Sequence, residues 1–220
     1  MAPTPPFAPH AAVFDLDGVL VDTEELWVTA ERRVVVDLGG QWDDELRHAM
    51  LGRGPRDAAA RLAEHVGLDD IDVVLGHLET ASRAVFSNGI RPRPGAFELV
   101  TALGRSLPLA VATNATRELA SASLEAAGLA EAFAAVVTAD DVTAHKPAPD
   151  VYARACEALG VAPGRAVAFE DSPVGARAAR DAGCWVIGCP AVPGLDGLPA
   201  AHTLVGSLAD VDVPQLLAGR

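Results

Sequence analysis

Residues 11 to 24 read AAVFDLDGVLVDTE. The run Ala11–Phe14 is short and apolar throughout, and it stops at Asp15, Asp17 and Gly18. A continuous apolar run that ends in acidic residues and glycine predicts a buried strand followed by a turn. In an open α/β sheet, ligands sit beyond the carboxyl ends of the strands, so both carboxylates stand where a ligand would. Two anions this close repel each other unless a cation or a shared proton relieves them. Mg²⁺ is the simplest relief, because it takes one or two carboxylates and keeps waters or phosphate oxygens in its remaining positions. Read alone, the D-x-D is equally an acidic turn, where Asp is common.

Beyond this strand the pattern is helical. Residues 23–38 run unbroken to Gly39-Gly40, and 42–50 predict a second, short helix. Residues 55–66 have Pro55 just inside the start and Gly67 past the end, and 70–86 carry Ile71, Val74, Leu75 and Leu78 at helical spacing. The stretch SNGIRPRPG, 87–95, reads as a return linker. From there apolar strands at 108–113, 135–138, 165–169, 184–188 and 203–205 alternate with helices at 96–103, 117–127, 149–159 and 174–182. Alternation of this kind implies a parallel sheet with right-handed crossovers. The predicted fold is α/β: a doubly wound parallel sheet core, residues 1–21 and 90–220, interrupted by an inserted four-helix cap domain, residues 22–89. Such an insert can hinge as a unit. The Pro-rich start, MAPTPPFAPH, reads as a loose tail without a basic-then-apolar leader pattern.

The chain has 220 residues, half of them apolar and few aromatic, which is enough for one core with a smaller lobe. Its net charge of −13 disfavours nucleic acid and anionic membranes as partners. Plain solubility is the simplest use of that charge, and a phosphate substrate would need local positive charge to overcome it. The three cysteines, Cys156, Cys184 and Cys189, form no C-x-x-C pair and no even disulfide framework. A cytoplasmic location fits, and no apolar run reaches the length of a membrane span. The expected assembly is a monomer or weak homodimer.

Polar groups recur at or after the predicted strand ends: Asp15 and Asp17, Thr113 and Asn114, Lys146, and Glu170 with Asp171. Each has a bland alternative. Thr113-Asn114 can cap the next helix, Lys146 can be a solvated surface residue, and Glu170-Asp171-Ser172 before Pro173 is a good helix start by itself. Their joint order at successive strand ends is what points to one site.

DLDGVLVDTE closely resembles the first motif of the haloacid-dehalogenase-like superfamily of phosphotransferases. VATNAT resembles the second motif, HKPAPDVY the Lys-bearing third and AFEDSPVGARAARDAG the fourth, so the likeness spans the whole core. It implies a Rossmann-like core, Mg²⁺ dependence and phosphoryl transfer, where positioning and charge neutralisation carry most of the catalysis. The roles it implies are Asp15 as nucleophile forming an aspartyl-phosphate and Asp17 as general acid/base. Thr113 and Asn114 would donate to phosphoryl oxygens, and Lys146 would be a compact positive charge. Glu170 and Asp171 would complete the metal site with Asp15 and the Asp17 backbone carbonyl. The haloacid dehalogenases themselves use no metal and lack the second Asp of the first motif, so Asp17 and the Glu-Asp pair argue against that activity. A helical insert between the first and second motifs resembles the phosphoglucomutase and phosphatase-like branch.

The resemblance also implies that the insert segment LGRGPRDAA, 51–59, contacts substrate, with Arg53 and Arg56 binding phosphate or hydroxyls. Two solvated arginines at a helix start are the plain alternative. Glu24, Trp27 and His48 are further candidates for lining the cleft. In the β-phosphoglucomutase branch a His stands twelve positions after the nucleophile; here that position is Trp27, which offers one N–H donor and no acceptor. The expected activity is therefore a Mg²⁺-dependent phosphatase acting on a small phosphomonoester, a sugar or polyol phosphate. A sugar phosphomutase of the β-phosphoglucomutase type is the alternative, and a non-catalytic binding scaffold is a third reading.

Overall fold

The computed structural model describes residues 4–50, 53–86, 89–190 and 198–219. Leu51-Gly52 of the insert segment and Ser87-Asn88 of the return linker lie outside these residues. Strand β1 (Ala11–Phe14) has all four side chains shielded from solvent. It is followed by helices α1 (Glu24–Asp37), α2 (Asp44–Met50), α3 (Pro55–Val66) and α4 (Ile71–Phe86). Then come α5 (Ala96–Gly104), β2 (Leu109–Ala112), α6 (Arg117–Ala126), β3 (Ala135–Val137) and α7 (Asp150–Ala158). The chain closes with β4 (Ala166–Glu170), α8 (Pro173–Asp181), β5 (Trp185–Gly188), β6 (Thr203–Leu204) and α9 (Val213–Ala218).

The six strands form one parallel sheet in the order β3-β2-β1-β4-β5-β6. The order reverses at β1, and in such a sheet the crevice beyond the carboxyl ends at the reversal is where ligands bind. The α/β class expected from the alternation is the fold observed. Phe14 and Phe169 are register partners on β1 and β4, and their rings stack at 4.6 Å. That pairing continues one residue further, where the Asp15 N–H donates to the Phe169 carbonyl at 3.0 Å. It fixes Asp15 and Glu170 side by side at the same end of the sheet.

The chain divides into two compact units, Met1–Asp22 with Arg91–Arg220, and Thr23–Ile90. In the sheet unit, the two segments that lead out and back pair with each other. The Asp22 N–H donates to the Arg91 carbonyl at 2.8 Å, and the Arg93 N–H to the Leu20 carbonyl at 2.9 Å. In the helical unit, α4 packs against both α1 and α3, and Trp27 meets Phe86 edge to face at 5.0 Å.

Several boundaries differ from the sequence expectation for local reasons. α2 starts at Asp44 rather than 42 because the Asp43 carboxylate accepts the Leu46 N–H at 2.8 Å, capping the helix there. The tail is not loose over the residues described. Pro5 and Pro9 are buried, the Arg165 guanidinium lies 5.1 Å from the Phe7 ring centre, and the His10 N–H donates to the Arg165 carbonyl at 2.8 Å. The short helix α9, capped by Asp212 on the Gln215 N–H at 3.0 Å, is not in the sequence reading. Among the described residues no helix is long and apolar enough to cross a membrane.

Candidate active site

The turn after β1 places two acids. Gly18 takes φ +76°, a conformation glycine adopts without strain, and donates its N–H to the Val21 carbonyl at 2.8 Å. Asp15 is buried and Asp17 is half-buried. Asp17 stands near enough that its charge is felt by both Asp15 and Asp171.

Lys146 is not at the surface: it is only 5% exposed. Its Nζ donates to Asp15 Oδ1 at 2.7 Å and to Glu170 Oε1 at 2.7 Å. Asn114, after β2, fixes the lysine's backbone at two points. Its Oδ1 accepts the Lys146 N–H at 3.0 Å, and its Nδ2 donates to the Lys146 carbonyl at 3.3 Å. This double grip carries a loop residue to the strand ends, and it occupies part of the amide assigned from sequence to a phosphoryl oxygen. Thr113 is buried, its N–H held by the Val137 carbonyl at 3.0 Å. Its hydroxyl oxygen accepts the Ala115 N–H at 3.0 Å, which leaves the hydroxyl hydrogen to donate elsewhere.

Glu170, the last residue of β4, is fully buried. Its Oε1 accepts from Lys146 and, at 2.8 Å, from the Tyr152 hydroxyl. Its Oε2 accepts from the Asp171 N–H at 3.1 Å, the Ser172 N–H at 3.2 Å and the Ser172 hydroxyl at 3.1 Å. The carboxylate therefore sits on the first amides leading into α8, where negative charge is favoured. A carboxylate has about four acceptor sites, so these five donors saturate it. Tyr152 and Ser172 are absent from the sequence-derived site. A signal for Tyr152 exists, because a buried tyrosine hydroxyl needs a partner and this one follows Lys146 on the inward face of α7.

Burial raises the Asp15 carboxyl to about 7, with the Glu170 and Asp17 charges adding to it and Lys146 opposing it. Burial also holds Asp171 well above the usual carboxylate range, together with the charges of Glu170 and Asp15. For Lys146, burial disfavours the charge, but the Asp15 and Glu170 carboxylates outweigh it and keep the ammonium well above its ordinary range. One cation thus faces a larger group of acids.

A divalent cation fits that excess. Asp15, Glu170 and Asp171 each offer a carboxylate oxygen, all within 4.8 Å of one another, and hard oxygen donors are what such an ion takes. The Asp17 side chain is outside this set. The five remaining sequence candidates belong to the helical unit, among them the exposed His48, whose ring Nδ1 lies 2.6 Å from the Asp44 carbonyl. Glu24 is half-buried in the first turn of α1, and Trp27 packs on Phe86. Arg53 is exposed, with Nε on the Ala49 carbonyl at 2.5 Å. Arg56 pairs with Asp72 at 3.0 Å, both exposed.

A buried carboxylate–lysine–carboxylate cluster lies at the switch point of a doubly wound parallel sheet. The chain belongs to the haloacid dehalogenase-like hydrolase family, whose model matches residues 12–189. It is 31% identical over 210 residues to validoxylamine A 7'-phosphate phosphatase of Streptomyces hygroscopicus subsp. limoneus, covering 93% of this chain and 97% of the relative. It is 35% identical over 173 residues to fructose-1-phosphate phosphatase YqaB of Escherichia coli K12, covering 78% and 91%. The crystal structure of a CbbY mutant from Rhodobacter sphaeroides with xylulose-1,5-bisphosphate superposes with a TM-score of 0.82 at 31% identity, covering 93% and 96%.

Proposed function

We propose that this chain is a phosphatase that hydrolyses a small phosphomonoester, a sugar or polyol phosphate, through an aspartyl-phosphate on Asp15. The observation that carries the reading is the Asp15 carboxylate at the end of β1, 2.7 Å from the Lys146 ammonium and grouped with Glu170 and Asp171. Asp15 attacks phosphorus and the phosphorus–oxygen bond to the sugar breaks, while Asp17 gives its proton to the departing alkoxide. Asp17 then takes a proton from water, which attacks phosphorus and frees the Asp15 carboxylate. Thr113 and Lys146 hold phosphoryl oxygens, and Asn114 holds Lys146 in place. Mg²⁺, bound by Asp15, Asp171, the Asp17 carbonyl and Glu170, would neutralise charge between nucleophile and phosphate.

The helical unit is the proposed cap, with Glu24, Trp27, Arg53 and Arg56 contacting the substrate. Relatives that act on fructose 1-phosphate and validoxylamine A 7'-phosphate support a sugar-like substrate. Trp27 packs its indole on Phe86 and supplies no acceptor in the position of the mutase branch's His, which favours hydrolysis over phosphoryl return. A cytoplasmic setting suits the three free, buried cysteines.

The test is phosphate release from a panel of sugar and polyol phosphates and one aryl phosphate, with Mg²⁺ and with EDTA. Release should need Mg²⁺ and should vanish in Asp15→Asn, whose amide is a poor nucleophile. Residual turnover above a few per cent in that variant would overturn the nucleophile assignment. Glucose 6-phosphate accumulating from β-glucose 1-phosphate and a trace of the 1,6-bisphosphate, without free phosphate, would establish the mutase instead.

A further inference from the structure

Lys146 is the only lysine of the chain, against sixteen arginines. Tyr152 is the only tyrosine. The two meet in the core of the sheet unit. Lys146 Nζ lies 3.4 Å from the Tyr152 oxygen and 4.9 Å from the centre of its ring. Arginine is a planar fork with five donors, whereas lysine is a compact charge with three. The pocket at Lys146 is bounded by three oxygens, those of Asp15, Glu170 and Tyr152. That geometry suits an ammonium and not a guanidinium.

The three oxygens are not equivalent. Asp15 and Glu170 accept from Nζ at 2.7 Å each, but the Tyr152 oxygen at 3.4 Å is a weak acceptor. The strong bond of Tyr152 runs the other way, its hydroxyl donating to Glu170 Oε1 at 2.8 Å. Tyr152 is fully buried on α7, so its ring cannot swing away from that contact. Glu170 Oε1 is thereby shared between a neutral donor on a rigid ring and a cation on a flexible stem.

We propose that Tyr152 is a positioning residue for the phosphoryl-transfer reaction, fixing the Glu170 carboxylate and, through it, the Lys146 ammonium on Asp15. The proposal rests on the phosphatase reading given above. Without the hydroxyl, Glu170 Oε1 has only Lys146 as donor among the contacts at that oxygen, and the ammonium draws toward Glu170 and away from Asp15. The loosely held third N–H of Lys146 is the one a phosphoryl oxygen takes when substrate binds, displacing the tyrosine oxygen at little cost.

The single lysine and the single tyrosine make the test specific. Tyr152→Phe removes one oxygen and keeps the ring. The turnover of an aryl phosphate with Mg²⁺ should fall about tenfold in kcat, with KM within about twofold, because a group acting on alignment is felt in the transition state. Lysine labelled with ¹⁵N at Nζ gives one side-chain ammonium signal, and that signal should shift or broaden in Tyr152→Phe while the backbone amide spectrum keeps its dispersion. Should Tyr152→Phe not fold, growth on 3-fluorotyrosine alters only residue 152, making its hydroxyl a stronger donor, and the ammonium signal should move from its wild-type position. An unmoved ammonium signal, or kcat within twofold of wild type in the folded variant, would overturn the proposal. If wild type releases no phosphate from any substrate, the phosphatase reading fails, and the ammonium signal still decides whether Tyr152 positions Lys146.

Discussion

A β-carbon on Gly175 would lie 1.7 Å from Oε1 of Glu170 and 2.1 Å from its carboxyl carbon. Gly175 sits in the first turn of α8, and its N–H donates to the Ser172 hydroxyl at 3.0 Å, which in turn donates to Glu170 Oε2. The glycine is required by close approach and not by backbone angle. It lets the carboxylate rest against the helix while still reaching Lys146.

Gly175→Ala should therefore push Glu170 off its seat and misplace Lys146. A displacement of about 1 Å costs on the order of a hundredfold in rate, and kcat should fall by about that much. Gly164→Ala is the control, since nothing lies within 4 Å of its new β-carbon and its activity should be unchanged. Phosphate-release kinetics on both variants read the difference, and equal activities would show that the Glu170 seat is irrelevant to catalysis.

The elements that can be read locally were legible in the sequence. Ala11–Phe14 is apolar at every position because both faces of the sheet are covered, and Pro55 and Gly67 punctuate α3 where the structure starts and stops it. What was not legible depends on contacts between distant segments. Lys146 is a site candidate by its order and its motif, but its burial is not legible in a loop before a proline. Its burial comes from Asn114, 32 residues away, gripping its backbone. Glu170 reads as a metal ligand beside Asp171, and only the fold shows five donors already on its oxygens. Tyr152 lies inside a quoted motif, yet its partner is across the sheet unit, which no periodicity reveals.

Metal binding should be visible without activity. Asp15, raised to about 7 by burial, is partly protonated near neutrality, and a bound cation must displace that proton. Mg²⁺ should raise the melting temperature, since a ligand of the native state stabilises it. The rise should be small at about pH 6 and larger at about pH 8, where Asp15 has lost its proton. Asp171→Ala should abolish it. A variant that responds to Mg²⁺ as wild type does would place the metal elsewhere.

The two arginines of the helical unit should differ. Arg56 is engaged by Asp72 at 3.0 Å, while Arg53 has, among the described residues, only Nε committed, to the Ala49 carbonyl. Arg53→Ala should raise KM for the preferred sugar phosphate about tenfold, the scale of a charge-assisted hydrogen bond to a ligand. Its KM for a small aryl phosphate should change much less, and Arg56→Ala should do less to either. Equal losses on both substrates would assign Arg53 to the phosphoryl centre or to stability alone.

Glu31 should make the helical unit pH-sensitive. It is 6% exposed on α1, no hydrogen bond or ion pair holds it among the described residues, and burial raises its carboxyl to about 8. An unfolded chain ionises this group at about 4.3. Below that value both states are protonated and the group does not oppose folding. Between the two values folding must retain a proton that the unfolded chain has lost, so stability falls as pH rises, by about 1.4 kcal/mol per unit, and levels off above about 8. Glu31→Leu removes the ionisation and the cost of burying it. The variant should be slightly more stable than wild type at about pH 5, with the gap widening to several kcal/mol at about pH 8. Urea unfolding followed by helical circular dichroism across this range measures the gap, and a difference that does not grow with pH would mean that Glu31 is solvated in the native state.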